Sequence, residues 1–149
     1  MSSVEADKIS ARSLLDPVSS DGTALTFADS GVNVIDRCPA GSRQEFSGAK
    51  LVAVSGAASG APTTISFPFI LQHSDAQGSG FANYTDPQTG NVVTVTLTDE
   101  NELGELAVDL SAAKQYLSLA LDGTFTGGSS PELVVSAALI LTGAKEVPV

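Results

Sequence analysis

The stretch NVVTVTLTD, residues 91–99, decides how the fold is read, because apolar and polar residues alternate along it. Val93, Val95 and Leu97 fall on one face of an extended chain, and threonines fall on the other. A repeat of two with one apolar face is typical of a half-buried strand in an antiparallel sheet. We therefore predict a β-strand here.

Similar strand patterns recur along the chain, separated by turns that contain glycine or proline. They are KLVAVSG (50–56), TTISFPFILQHS (63–74), ELAVDL (105–110), QYLSLALDGTFTG (115–127) and SSPELVVSAALILTGAK (129–145). Pro68 lacks a backbone N–H, so it indicates an edge strand or a bulge. DLSAAK (109–114) could add one helical turn after the strand 105–110, with Asp109 or Ser111 as its cap. Residues 107–123 could instead form a longer helix, but their polar residues do not keep to one helical face. The pattern predicts an all-β fold: an antiparallel β-sandwich, jelly-roll-like in form.

The first 48 residues differ from the rest, because the dipeptides DP, DG, SG, CP and AG interrupt their short apolar stretches. TALTFA (23–28) and VNVI (32–35) have the alternation of short strands. We expect residues 1–48 to form an extended N-terminal arm and the first short strands, and residues 49–149 to form the sandwich core. At 149 residues, the two parts are expected to make one domain.

Composition excludes several classes of function. The net charge is −10, from 17 acids and 7 scattered bases, so direct binding to nucleic acid or to an anionic membrane is not expected. No apolar run reaches the roughly 18 residues of a membrane span, and the N-terminus has no apolar signal region, so we expect synthesis in a cytoplasm. Cys38 is the single cysteine and allows no intrachain disulfide. Charged residues make up only 16% of the chain, which suggests a surface partly covered by neighbours.

His73 is the single histidine, and Ser74 and Asp75 follow it directly. A catalytic triad needs its three groups brought together from separate elements, with the nucleophile on a strained turn. Neighbouring residues of a strand point to opposite faces, so His73 and Ser74 are expected to diverge. We predict a polar residue at a strand end, no catalytic residue, and no enzyme activity.

The segment TDENELGE, residues 98–105, carries four carboxylates: Asp99, Glu100, Glu102 and Glu105. A solvated acidic loop is the expected interpretation, and a weak Ca²⁺ site is the alternative, although the EF-hand spacing is absent. Three glycine-rich stretches lack the lysine or helix of a phosphate cradle, so they are predicted to be turns. No metal site and no cofactor are expected.

Two stretches of the second half share an ordered pattern with a known family. FILQHSDAQGSGFANY (69–84) is an apolar strand that ends in Gln-His-Ser-Asp, then a turn of small residues, then an aromatic residue. LAVDLSAAKQYLSLALDGTFTGGSSPELVVSAALILTGAKEVPV (106–149) ends in an apolar strand preceded by Ser-Pro. In this order and spacing, roughly the last 80 residues resemble the C-terminal half of small β-sandwich virion proteins of tailed bacteriophages. Gln115 and Ser118 depart from the family pattern, which has basic residues there.

The resemblance implies a capsid decoration (cement) protein on the outer surface of a phage head, where such proteins tie neighbouring capsomers together, often as trimers. The expected partners are the major capsid protein and copies of the chain itself. Ile9, Leu14, Leu15 and Phe27 are the candidate contacts with neighbours, unless they pack on their own domain. The alternatives are a head–tail connector, a tail or baseplate protein, and, from fold-level analogy, a carbohydrate-binding module.

Overall fold

The computed structural model describes residues 10–37 and 44–146, and these residues form strands and turns. The ten strands are β1 (Ser10–Ser20), β2 (Ile35–Asp36), β3 (Gln44–Ser59), β4 (Thr64–Ser74), β5 (Ala82–Asn83), β6 (Thr94–Leu97), β7 (Leu103–Asp109), β8 (Tyr116–Leu121), β9 (Thr124–Thr126) and β10 (Glu132–Glu146). They build two antiparallel sheets packed face to face, so the prediction of an antiparallel β-sandwich is confirmed. Since this part of the chain holds no helix, it contains none long and apolar enough to cross a bilayer.

The strand order is that of a jelly roll. β5 and β6 lie along one edge of β4, and β8 and β9 follow each other in one register along its other edge. When each pair is counted as one interrupted strand, the first sheet runs β1-β10-β3-β7 and the second runs β2-β8-β4-β5. Each sheet then has four strands, as in the eight-stranded double Greek key.

The core lies between the two sheets and is built by the alternation seen in the sequence. Val93 and the inner residues of β6, Val95 and Leu97, are between 0% and 7% exposed, while Thr96 between them faces solvent. The second sheet also contributes Phe67, Phe69, Leu71, Leu117, Leu119 and Leu121, and the first contributes Leu51, Ala53, Leu133, Val135, Leu139 and Leu141. This burial is the main stabilising contribution to the fold.

Pro68 was expected on an edge or at a bulge, and this expectation is wrong, because β4 has paired neighbours on both sides in regular register. Hydrogen-bond direction alternates along a strand, and Leu71 donates its N–H to Val93 O at 2.9 Å, towards β6. The nitrogen of Pro68 therefore faces the other neighbour. There β8 pairs with residues 69–74 and β9 with residues 64–66, so the ladder is interrupted where proline has no N–H to give.

The region predicted as an N-terminal arm contributes strands to both sheets. β1 pairs with β10 in the first sheet, and β2 pairs with β8 in the second. TALTFA and VNVI form less strand than predicted: Leu25 and Val32 make isolated bridges, and only Ile35–Asp36 is a strand. The helix considered over residues 107–123 is absent, because β7 and β8 are separated by a turn in which Ala113 N–H donates to Leu110 O. Ile9 and Cys38 lie outside the described residues.

Candidate functional site

His73 lies near the end of β4 as a partly buried residue of the second sheet. Its Nδ1 accepts the backbone N–H of Lys114 at 3.2 Å, and its ring packs edge-on against Tyr84 with centroids 5.0 Å apart. Burial, followed by the Lys114 charge, lowers the pKa of His73 below its ordinary value. Because Nδ1 accepts this hydrogen bond, it carries no proton in the contact, and the ring fixes the position of the turn before β8.

The two residues after His73 have separate partners. The Ser74 hydroxyl donates to the carbonyl of Ser79 and accepts the N–H of Ala76 at 3.1 Å, so it closes the turn that follows β4. Asp75 is exposed and lies 3.6 Å from the ammonium group of Lys114. As expected from the alternation of a strand, Ser74 and His73 engage different parts of the structure.

The acidic segment 98–105 uses its carboxylates to hold backbone. Glu100 accepts the N–H of Ala58 at 2.9 Å, and Glu102 accepts the N–H of Thr98 at 3.2 Å. Glu105 points elsewhere and pairs with Lys50 at 3.2 Å. In the described part of the chain, no three His, Cys, Asp or Glu side chains converge in a way that could hold a metal ion.

One end of the sandwich is strongly acidic. Four segments meet there, 20–25, 57–63, 98–102 and 122–132, joined by contacts such as Gly123 N–H to Gly22 O at 3.1 Å and Ser129 N–H to Gly60 O at 2.9 Å. These segments carry Asp21, Asp99, Glu100, Glu102, Asp122 and Glu132, and no Lys or Arg. A depression of about 210 Å³ lies at this end between Pro62 and Asp99, smaller than a usual small-molecule site.

At the other end of the sandwich, Arg37 joins segments that are distant in sequence, a role that no sequence pattern indicated. Although it is only 8% exposed, its guanidinium donates to Lys114 O at 2.9 Å, to Phe46 O at 3.0 Å and to Ala113 O. These carbonyls belong to β3 of the first sheet and to the turn before β8 of the second. Arg37 is therefore a structural link between the sheets.

The outer face of the first sheet is the most distinctive surface of the described residues. Cross-strand rows run Ser136–Val54–Leu103, Ala138–Val52–Glu105 and Ile140–Lys50–Ala107 over β10, β3 and β7. Val134, Val54 and Leu103 are 41%, 38% and 62% exposed. The ion pair between Lys50 and Glu105 is the charge within these rows. Exposed apolar side chains grouped on a solvent-facing sheet make this face the candidate surface for contact with a partner.

The outer face of the second sheet has a different character. β6 presents Thr94 and Thr96, and β4 and β5 present Gln72 and Asn83, whose side chains share a hydrogen bond of 2.9 Å. Near β8, Ser118 is fully buried and its hydroxyl donates to Asn33 O, because the segment before β2 covers it. Pro68 and Ile70 of β4 are half-buried on this same face, so it is more polar than the outer face of the first sheet without being free of apolar residues.

The four candidate contact residues lie in different places. Leu14 and Leu15 are 0% and 1% exposed and belong to the core, so in this structure they pack on their own domain. Phe27 is half-buried, with its ring centroid 4.7 Å from that of Phe81. Ile9 lies outside the described residues. The structure therefore brings none of the described three to the outer face of the first sheet.

Comparison with known proteins does not narrow the choice of function. No protein-family model matches the chain, and no curated protein is similar to it in sequence. Function has to be argued from the surfaces described above.

Proposed function

We propose that the chain is a head decoration (cement) protein of a tailed bacteriophage. In this proposal it binds the major capsid protein on the outer surface of the head, with copies arranged as trimers, and stabilises contacts between capsomers. It acts by adhesion, and the adhesive surface is the outer face of the first sheet. The single observation that carries the proposal is the group of exposed apolar side chains on this face: Val54 and Leu103 are cross-strand neighbours, and Val134 of β10 lies beside Gly56.

The chemistry of this face suits binding to a protein. Most of its side chains are β-branched or small and lose little rotamer freedom when they are covered. They are Val52, Val54, Ala107, Val134, Ser136, Ala138 and Ile140. The interior of protein interfaces is depleted of charge, and here the Lys50–Glu105 pair neutralises itself. A contact of standard size buries roughly 800 Å² on each partner.

The fold and the resemblance support the proposal in a more general way. Viral capsid proteins share the jelly-roll order, as do lectins and other binding domains, so the fold alone does not choose among them. The resemblance of residues 69–84 and 106–149 to phage virion proteins favours the viral role. Absence of tryptophan and a content of only two tyrosines disfavour sugar binding, which commonly uses aromatic platforms.

The mechanism is mechanical. Each copy contributes a modest contact, and many copies arranged on one shell add their contacts together, because a linked contact forms at high effective concentration. A capsid decorated in this way resists the outward pressure of packaged DNA better than a bare one.

The test is binding to heads that lack the protein. Val54→Glu places a carboxylate in the centre of the proposed face, and Thr96→Glu places one on the exposed outer face of the second sheet as a matched control. We expect Val54→Glu to lower occupancy about tenfold or more, because an unpaired charge is buried in the contact, and Thr96→Glu to bind as the parent chain does.

Occupancy is measured on gradient-purified heads by gel densitometry and by electron microscopy. Equal binding of the two variants would remove the outer face of the first sheet from the proposal. Density confined to the tail, the neck or the baseplate would replace decoration with one of the alternative virion roles.

A further inference from the structure

The sheet edges of this sandwich are protected in unequal ways. Unpaired edges invite pairing with other chains, and proteins usually shorten, bend or cover them. The outer edge of β1 carries Pro17 and is covered where Asp16 N–H donates to Gly31 O and Asn33 N–H donates to Leu14 O, both at 2.9 Å. The second sheet ends in short strands, β2 and β5 of two residues each and β6 of four. The seven-residue β7 is the remaining edge.

The outer edge of β7 is open along most of its length. Ser55 N–H of β3 donates to Glu102 O, and Leu110 N–H donates to Ser47 O. The even-numbered residues of β7 therefore direct their backbone N–H and C=O groups at β3. Odd-numbered residues therefore direct theirs outward. At the end of the strand, Asp86 accepts the N–H of Asp109 at 3.1 Å.

The backbone N–H and C=O groups of Leu103, Glu105 and Ala107 likewise point away from β3, and no strand of the described chain pairs with them. A groove of about 220 Å³ runs beside this edge, between β7 and the segment that leads into β6. Its lining includes Leu106 and Ala107 on one side and Val92 and Thr94 on the other. Leu106 is 38% exposed and Val92 is 41% exposed. Asp86, Thr89 and Asn91 also line the groove. Free backbone donors beside a groove that can take side chains are the two features by which an added strand is recognised.

The distribution of charge leaves β7 as an edge that an identical chain can approach. Two copies with a net charge of −10 repel each other, most strongly at the acidic end of the sandwich. On β7, Glu105 is neutralised by Lys50 at 3.2 Å, and Leu103, Gly104, Leu106 and Ala107 carry no charge. Asp109 and Asp86 are the charges at the end of the strand, so residues 103–107 are the stretch where two copies can approach with little repulsion.

We propose that two copies of the chain pair through β7, antiparallel, about a two-fold axis at Leu106. This register centres the axis on the strand Leu103–Asp109. Glu105 of each copy then lies opposite Ala107 of the other, and each such pair exchanges both N–H···O bonds. An axis at Glu105 would oppose two carboxylates, which destabilises a strand pair.

A two-fold axis at Leu106 places Leu106 of one copy opposite Leu106 of the other. The two Leu106 side chains meet in the close, non-hydrogen-bonded position, beside the two copies of Val92. The two first sheets join into one continuous sheet whose outer face remains accessible. This pairing does not rest on the proposed function, and it differs from a three-fold contact.

The test is the mass of the full-length protein by sedimentation equilibrium across a range of concentrations, with site-resolved amide hydrogen exchange. We expect a dimer in which the N–H groups of Glu105 and Ala107 become protected as concentration rises. Leu106→Glu opposes two carboxylates at the axis and should raise the dimer Kd about tenfold or more. Ala107→Pro removes the N–H of Ala107, which points away from β3 and makes no bond within its own sheet. This variant should also raise the dimer Kd about tenfold or more.

Val54→Glu is the matched control, because Val54 has the same exposure as Leu106 and lies on the outer face. It should dimerise like the parent chain, although the proposed function predicts that it loses binding to heads. Thermal unfolding checks that each variant is folded. A monomer at every concentration with unprotected Glu105 and Ala107 amides would overturn the inference, and so would a dimer or trimer that survives both β7 variants.

Discussion

Replacing Gly123 by alanine tests how the two halves of an interrupted strand pack on the core. Gly123 lies between β8 and β9, opposite the part of β4 where the ladder is broken. A Cβ built at this position would lie 2.5, 2.6 and 2.7 Å from three ring carbons of Phe67. Real Cβ contacts are essentially never this short, so either the ring or the strand has to move.

The magnitude follows from how little room the ring has. Phe67 is 0% exposed and packs edge-on against Phe125 with centroids 5.1 Å apart, so it cannot rotate away into solvent. Overpacking of a filled core costs about 1–3 kcal/mol, and a rigid ring as the obstacle places this substitution near the middle, at about 2 kcal/mol. For a domain of this size, that corresponds to a fall in Tm of about 4–8 °C.

Gly78→Ala is the matched control for this substitution. Gly78 lies in the exposed turn after β4, and a Cβ there would meet nothing within 4 Å. Its stability should be unchanged or raised by about 0.5 kcal/mol, because alanine restricts the unfolded chain. Urea and thermal unfolding of the two variants and the parent give the comparison. If Gly123→Ala is as stable as Gly78→Ala, the described packing of Phe67 beneath the β8–β9 break is wrong.

Three further predictions concern residues that join parts of the sandwich. Leu15→Ala should cost about 2–5 kcal/mol of unfolding free energy, because Leu15 is 1% exposed, and an unchanged urea midpoint would assign it to contacts outside its own domain. Arg37→Met should cost about 3 kcal/mol, because it leaves the carbonyls of Phe46, Ala113 and Lys114 without that donor; a loss under about 0.5 kcal/mol would contradict the link between the sheets. The NMR titration of His73 should have its midpoint below the ordinary value of 6.5. Since the folded protein then binds the proton less readily than the unfolded chain, His73 lowers stability as pH falls from about 6.5 through the folded pKa, and His73→Gln should remove that part of the pH dependence.

Sequence patterning predicted the strands whose two faces differ in polarity. Residues 91–99 alternate in the sequence and in the structure, because one face of β6 packs on the core and the other meets water. β1 was not predicted, since it lacks this regularity. Leu14 and Leu15 are neighbours yet both are buried, because the register with β10 shifts between Ser13 and Leu15. A bulge formed by tertiary pairing leaves no alternation to detect.

The candidate surfaces were less predictable than the strands, for a physical reason. Alternation shows that a strand has two faces, but in β10 both are apolar: Leu139 is buried and Ile140 is half-buried. Which face meets the second sheet depends on partners distant in sequence. The role of Arg37 is hidden in the same way, because it binds backbone carbonyls 9 to 77 residues away, and carbonyls carry no sequence signal.

A net charge of −10 is compatible with an adhesive protein because of where the charge is placed. Six acids and no cation lie at one end of the sandwich, while the central rows of the outer face of the first sheet, with residues 103–107 of β7, carry one self-neutralised pair. Repulsion between copies therefore acts mainly through the ends and weakens within about 8–10 Å at physiological salt. Copies can then approach through the face and the edge while their acidic ends stay apart. In the proposed assembly, the same segregation would restrict the orientations in which copies pack, so charge would select the geometry and the apolar surfaces would supply the affinity.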